Sequence, residues 1–248
     1  MFKNQSYVLV TLVFTIFATW YWLFYQDWQM SSRPMTDMWM PPAETFKWRA
    51  QDFALAYTMW SVMMVAMMLP SATPLIMVFS RICLTRGIQP HMVYVFALGY
   101  LGVWFAFSIG LTLLQWQMHG LAWLDMRMNN QNTVVAGGLL LLAGGYQFSR
   151  LKNACLIYCR RPIGFFLNTW KDGVKGAFKM GLKLGLMCLG CCWAEMLIMF
   201  AVGVMNLTGM VLITAFILLE KLLPVKPMLI SWMGGFFLVG WGFLILLA

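Results

Sequence analysis

The sequence predicts an all-α fold, a polytopic transmembrane bundle of about seven helices with its amino terminus in the cytoplasm. Three observations predict it. The 248 residues are 62% hydrophobic and only 10% charged, which no ordinary soluble domain is. The apolar residues fall in runs of roughly 20, the length needed to cross a bilayer. The basic residues fall in alternate loops, as the positive-inside bias requires.

The first expected span runs from Tyr7 to about Tyr25. Trp20-Tyr-Trp-Leu-Phe-Tyr25 is bulky throughout and offers no small-residue cleavage site, so the segment reads as an uncleaved helix with an aromatic end at the membrane interface. Gln26 to Asp52 is polar and outside, and Pro41-Pro42 argues against a continuous helix there.

The second span, about Phe53 to Phe79, carries Met59, Met63, Met64, Met67 and Met68 ahead of Pro70 and Pro74. The prolines should kink or break it near its inner end and free carbonyls that protein or water must satisfy. Met92 to Trp116 is a third span, leading to a polar outer segment, Gln117 to Asn132, with Met118, His119, Asp125, Met126 and Met128. Thr133 to Phe148 is a short fourth span in which Gly137, Gly138, Gly144 and Gly145 allow close packing.

Ser149 to Lys179 is a basic loop in which Phe165, Phe166 and Trp170 interleave with the charges, the pattern of a helix lying on the membrane surface. Met180 to about Gly203 is the fifth span, Asn206 and Gly209 make an outer turn, the sixth span ends at Glu220-Lys221, and Met228 to Leu247 is the seventh. This arrangement puts Lys3, Arg81, Arg86, the seven bases of the loop, Lys221 and Lys226 inside, against Arg33, Lys47, Arg49 and Arg127 outside. A multi-pass protein of a bacterial inner membrane follows, one domain over residues 1–248 with the lipid bilayer as its surroundings. The net charge of +9 forms no basic stripe on a soluble face, so nucleic acid is excluded as a partner.

The strongest chemical signal is Gly181-Leu-Lys-Leu-Gly185-Leu-Met-Cys188-Leu-Gly-Cys191-Cys192-Trp193-Ala-Glu195-Met-Leu-Ile-Met199. At about 100° per residue, Gly181, Gly185, Cys188, Cys192, Glu195 and Met199 share a stripe roughly 80° wide, with Cys191 beside it. The glycines let another helix come close, and a carboxylate at membrane depth must face protein. Cys188, Cys191 and Cys192 are spaced so that their sulfurs can converge, with Glu195 one turn on. Soft thiolates suit monovalent copper or zinc, and neighbouring thioethers favour copper.

The candidate metal set is therefore Cys188, Cys191, Cys192 and Glu195, with Met63, Met64 and Met67 from the second span. The competing reading is packing, since cysteine and methionine are both common core residues. The outer segments, with Met35, Met38, Met40, Met118, His119, Asp125, Met126 and Met128, could collect a soft metal or cap the bundle. Cys155 and Cys159, four apart in the basic loop, form an incomplete two-ligand pair only if that segment is helical. No catalytic residue is singled out: there is no nucleotide-binding glycine loop and no hydrolase triad, and two histidines exclude most histidine-rich oxidase sites.

Several ordered motifs resemble a known family. They are Trp60-Ser-Val-Met63-Met-Val-Ala66-Met67-Met68-Leu-Pro70, Tyr146-Gln147, Leu151-Lys152, Cys155-Leu156, Cys159-Arg160, Pro162, Cys188-Leu-Gly-Cys191-Cys192-Trp193, Met196, Gly203-Val-Met205-Asn206-Leu and Glu220-Lys221. Over about Gln51 to Pro224 the chain resembles the predicted metal-binding integral membrane proteins, domain of unknown function 2182. The resemblance implies a membrane protein that binds metal and carries over no activity. The family pattern usually has an apolar residue where Glu195 stands, which marks that carboxylate as particular to this chain.

Two functions follow as expectations. One is copper binding, transfer or transport through an intramembrane cysteine cluster, with a metal-donor protein as partner. The other is a non-catalytic structural or assembly subunit among other membrane subunits.

Overall fold

A computed structural model describes residues 2–32, 39, 41–42, 44–125, 128–223 and 227–247. Of the residues singled out above, Arg33, Met35, Met38, Met40, Met126, Arg127 and Lys226 lie outside the described residues. Among the described residues there are nine α-helices, one 3-10 turn at Thr45–Lys47, and no strand. The helices are α1 Phe2–Ser32, α2 Ala50–Thr85, α3 His91–Gly120, α4 Thr133–Gln147, α5 Arg150–Arg160, α6 Pro162–Thr169, α7 Gly173–Val202, α8 Leu207–Leu222 and α9 Pro227–Leu247.

Five stretches are long and apolar enough to cross a membrane: Gln5–Ser32, Ala50–Thr85, His91–Gly120, Gly173–Val202 and Met228–Leu247. The number rises to six if α4 and α5, bent by 64° at a short break, count as one broken span. Seven expected spans thus become five or six by length and composition. The two that fall short are α4, with 15 residues, and α8, with 16. At about 1.5 Å per residue each covers under about 25 Å, less than the roughly 30 Å of a hydrocarbon core.

Local chemistry sets several of the boundaries. Asn132 caps α4 by accepting from the Val134 and Val135 amides, Ser149 caps α5 through the Lys152 amide, and Asn206 caps α8 through the Gly209 amide. The Ser149 cap starts a new helix where a continued α4 would have run on, which is the origin of the bend. Helix α1 runs seven residues past the expected end at Tyr25. No proline or glycine interrupts Gln26 to Ser32, so the helix propagates until its serines return hydrogen bonds to the Trp28 carbonyl.

Of the kink or break expected at Pro70 and Pro74, the break is absent: α2 is one helix of 36 residues with both prolines inside. The expected consequence for the carbonyls holds. Pro70 has no amide hydrogen to give the Ala66 carbonyl, and the Trp20 indole donates to it instead at 3.0 Å. The nearby Met68 carbonyl accepts from Ser71 Oγ at 2.9 Å and from the Tyr100 hydroxyl at 3.2 Å.

The glycine face of α7 packs on α3. A side chain at Gly181 would run into the Phe96 carbonyl, and one at Gly185 would lie 2.7 Å from a Val103 methyl and 2.9 Å from the Tyr100 carbonyl. Gly181→Ala is therefore expected to separate two backbones and destabilise the fold by about 1–3 kcal/mol, as overpacking does. Gly102→Ala, where nothing lies within 4 Å, is the control. Thermal unfolding in mild detergent should show a lowered midpoint for the first variant only. Helices α4 and α9 make a second close pair through Gly137 and Gly144, whereas Gly138 and Gly145 face open space.

The basic segment, expected to include a helix on the membrane surface, folds as α5, α6 and the start of α7. Helix α5 buries Lys152, Cys155, Leu156 and Cys159, an i, i+3, i+4, i+7 stripe, and it packs on α7. Phe165 and Phe166 are buried as well, and Phe166 stacks on Phe79 at 5.5 Å.

Candidate metal centre

The α5 stripe brings a fourth cysteine to the three of α7. The sulfurs of Cys159, Cys188 and Cys191 lie within 4.8 Å of one another, and all three residues are buried. Cys192 Sγ is 3.1 Å from Cys191 Sγ, so it adjoins the same cluster. No disulfide engages any of the six cysteines.

The spacing suits one ion. A metal bonded to three thiolates at about 2.3 Å in a plane needs sulfurs about 4 Å apart. A limit of 4.8 Å on their mutual distances is compatible with that separation.

Three further helices complete the surroundings. From α8, Lys221 Nζ donates to Cys188 Sγ at 3.0 Å and to Ser71 Oγ of α2 at 3.0 Å. From α3, the Tyr100 hydroxyl lies 3.1 Å from Cys188 Sγ. Lys221 is 7% exposed, so its ammonium is a fixed positive charge against the sulfurs rather than a solvated one. Three thiolates around a monovalent ion carry a net charge of −2, and Lys221 offsets half of it. In apolar surroundings that compensation is worth more than it would be in water.

Of the remaining expected ligands, the methionines lie along α2 and Glu195 pairs with a cation. Met63, Met64 and Met67 are fully buried on α2, one to two turns before Ser71, and α2 reaches the cluster through Ser71 and the Met68 carbonyl. Glu195 turns to the Lys152 ammonium and to Gln147 Nε2, the latter at 3.0 Å. Lys152 also binds Glu220 at 2.8 Å, and Ser231 donates to Glu220 at 2.7 Å. Cys155 is not one of the three and fits over Gly190: a side chain at that glycine would lie 2.7 Å from its sulfur. The glycine of the Leu-Gly-Cys-Cys run thus makes room for α5 to lie against α7.

Of the outer residues, His119 is buried against Trp48, with Nδ1 2.9 Å from the Gln115 carbonyl. Met128 is buried too and accepts from Gln115 Nε2 at 3.4 Å. A cavity of about 250 Å³ is lined by Met30, Met59, Met128 and Met205 together with Trp22, Trp39 and polar groups that include Gln26 and Thr58. Four thioethers from four parts of the chain meet in that space.

Sequence reasoning missed three members of this site: Cys159, which spacing leaves in an incomplete pair with Cys155, and Tyr100 and Lys221, which come from other helices. The recoverable signal was the α5 stripe, which puts Lys152 and Cys159 on one helical face with Leu156 between them.

No curated protein and no solved structure gives a significant match to the chain. A family model described as copper chaperone, PpoB2, matches residues 57–245 and so takes in every cysteine of the cluster. With about three quarters of its length covered by that match, the chain belongs to the PpoB2 family of copper chaperones.

Proposed function

We propose that the chain is an integral membrane protein that accepts monovalent copper on Cys159, Cys188 and Cys191 and passes it on to a copper-requiring partner. The carrying observation is the buried trio of sulfurs within 4.8 Å, contributed by two helices, in a chain of a copper chaperone family. Soft sulfur ligands prefer monovalent copper, and Lys221 offsets half of the negative charge of a tris-thiolate copper centre. Cys192, in contact with Cys191, is the sulfur to which the ion moves on transfer. The five or six apolar stretches support a multi-pass membrane location, and the distribution of basic residues is the argument for an amino terminus inside. The resemblance to the predicted metal-binding integral membrane proteins agrees with this reading.

The path to the cluster runs down α2. Met59 lines the methionine cavity, and Met63 and Met67 follow it at intervals of four, with Met64 alongside. From Met59 to Ser71 is about 18 Å along the helix axis. These thioethers bind a soft ion weakly enough to release it, while the thiols at the end hold it.

The first test is elemental analysis of the purified protein offered copper and zinc in turn under reducing conditions. One monovalent copper per chain, with sulfur-only ligation by X-ray absorption, is the expected result. A folded protein that takes up no copper, or prefers zinc, overturns the proposal. The path is tested by Met63→Leu with Met67→Leu, which should slow loading several-fold in time-resolved uptake and leave the final copper content unchanged.

A further inference from the structure

Four methionines far apart in sequence meet at one cavity. Met30 stands near the end of α1, Met59 in α2, Met128 in the turn ahead of α4 and Met205 in the turn between α7 and α8. All four line the space of about 250 Å³ described above, beside the indoles of Trp22 and Trp39.

The backbone is bent to bring two of them there. Met128 has φ +61°, a left-handed conformation that a residue with a side chain rarely adopts. Its amide donates to the Asp125 carbonyl at 2.9 Å, and its carbonyl accepts from the Val204 amide at 3.1 Å. The second bond ties the Met128 turn to the turn that carries Met205. Asn130 Nδ2 adds a bond to the Phe200 carbonyl at 2.9 Å, and Gly203, at φ +112°, leaves room for Asn129 Oδ1, which a side chain there would meet at 2.8 Å. A glycine at 128 would take the same conformation without strain, so methionine there keeps a thioether at the expense of an easy backbone.

The Met128 sulfur is oriented as well. The Trp60 indole, a donor only, gives its hydrogen to Gln115 Oε1 at 2.7 Å, which turns the Gln115 amide nitrogen to Met128 Sδ at 3.4 Å. One lone pair of the thioether accepts that hydrogen, and the sulfur has a second.

The ligand chemistry of the cavity is narrow. Zinc takes thiolate, imidazole or carboxylate ligands, and among the described residues none of the three lines this space. Thioethers are soft and neutral and suit a soft monovalent cation. Methionine has three rotatable bonds, so four such side chains can close on one ion. The indole faces attract a cation, and the Trp39 ring is made more negative by the hydrogen bond that its N–H gives to Asp52 at 2.8 Å. The cysteine cluster has no such restriction, since thiolates hold zinc as well as copper.

We propose that the cavity is a second metal site: the thioethers of Met30, Met59, Met128 and Met205 take a soft monovalent cation and refuse zinc, so the metal is chosen before the thiols are reached. In its place ahead of the thiols the site rests on the copper-carrying reading above; as a site it stands on the cavity alone. An ion held only by neutral thioethers exchanges readily and leaves during purification, so the site is read at equilibrium.

The experiment titrates the full chain in mild detergent with monovalent silver, a closed-shell ion of the same charge as monovalent copper, and separately with zinc. Methionine methyl groups carry an isotope label for nuclear magnetic resonance. Thiols are silent in that spectrum, so silver retained after desalting reports the cysteine cluster and the methyl shifts report the thioethers. Silver beyond the amount so retained should shift the signals that disappear in Met30→Leu, Met59→Leu, Met128→Leu and Met205→Leu, and zinc should shift none of them. Leucine is close to methionine in volume, so these variants keep the packing. Met59→Leu combined with Met205→Leu should abolish the shifts of the other two. Silver that binds and moves none of the four signals, or zinc that moves them as silver does, overturns the site. One single variant that folds suffices, because its missing signal must be among those that silver moves. Methyl shifts with no silver retained after desalting would overturn the thiol centre and leave the cavity site standing.

Discussion

Cys159→Ser is expected to weaken copper binding more than Cys192→Ser, although Cys192 lies in the conspicuous cysteine run and Cys159 lies 29 residues before its first member. Cys159 is one of the three sulfurs within 4.8 Å, whereas Cys192 reaches that trio through Cys191. Removing one of three thiolates leaves a two-sulfur site. The loss should be about 100-fold or more in affinity, beyond the 10–100-fold typical of changes to groups that only support a ligand. Cys192→Ser should keep the affinity within several-fold and slow delivery to an acceptor, since its assigned role is in transfer. Competition titrations with a chromophoric copper chelator measure the first effect, and stopped-flow transfer to the same chelator measures the second. A large loss in Cys192→Ser with none in Cys159→Ser would return the site to the α7 trio alone.

What was legible depended on whether the signal was local. The thiols and Glu195 share a face of α7 by helical periodicity, so the face could be drawn from spacing. Its glycines announced a close helix, but which helix meets them depends on the whole bundle; it is α3, through Phe96 and Tyr100. The freed carbonyl at Ala66 followed from Pro70 alone, but the donor that fills it, Trp20, comes from a helix 46 residues away in sequence. Lys152 and Lys221 were the hardest to place. By composition a lysine near an apolar segment belongs to a solvated loop, and what buries these two is opposite charge and sulfur from other helices. The same holds for Glu195, whose pairing with Lys152 of another helix could not be read from the spacing within α7.

Lys152→Met should be the most destabilising single change in the polar cluster. Methionine fills nearly the same volume, so the packing of α5 on α7 survives and the effect isolates the charge. Without the ammonium, Glu195 and Glu220 face each other in a region with almost no exposure, and breaking such a pair by removing one partner costs about 3–5 kcal/mol. For a chain of this length that corresponds to a fall in melting temperature of roughly 6–20 °C. Adding Glu195→Gln and Glu220→Gln to Lys152→Met removes the orphaned charges, and the triple variant should recover much of the loss, because neutral replacements of buried ion clusters are often nearly neutral in stability. Thermal melts of the four proteins, wild type, single, and the single combined with one or both glutamines, give the recovery step by step. If Lys152→Met melts as the wild type does, the cluster contributes no electrostatic stability, and Lys152 is not what holds Glu195 and Glu220 inside the bundle.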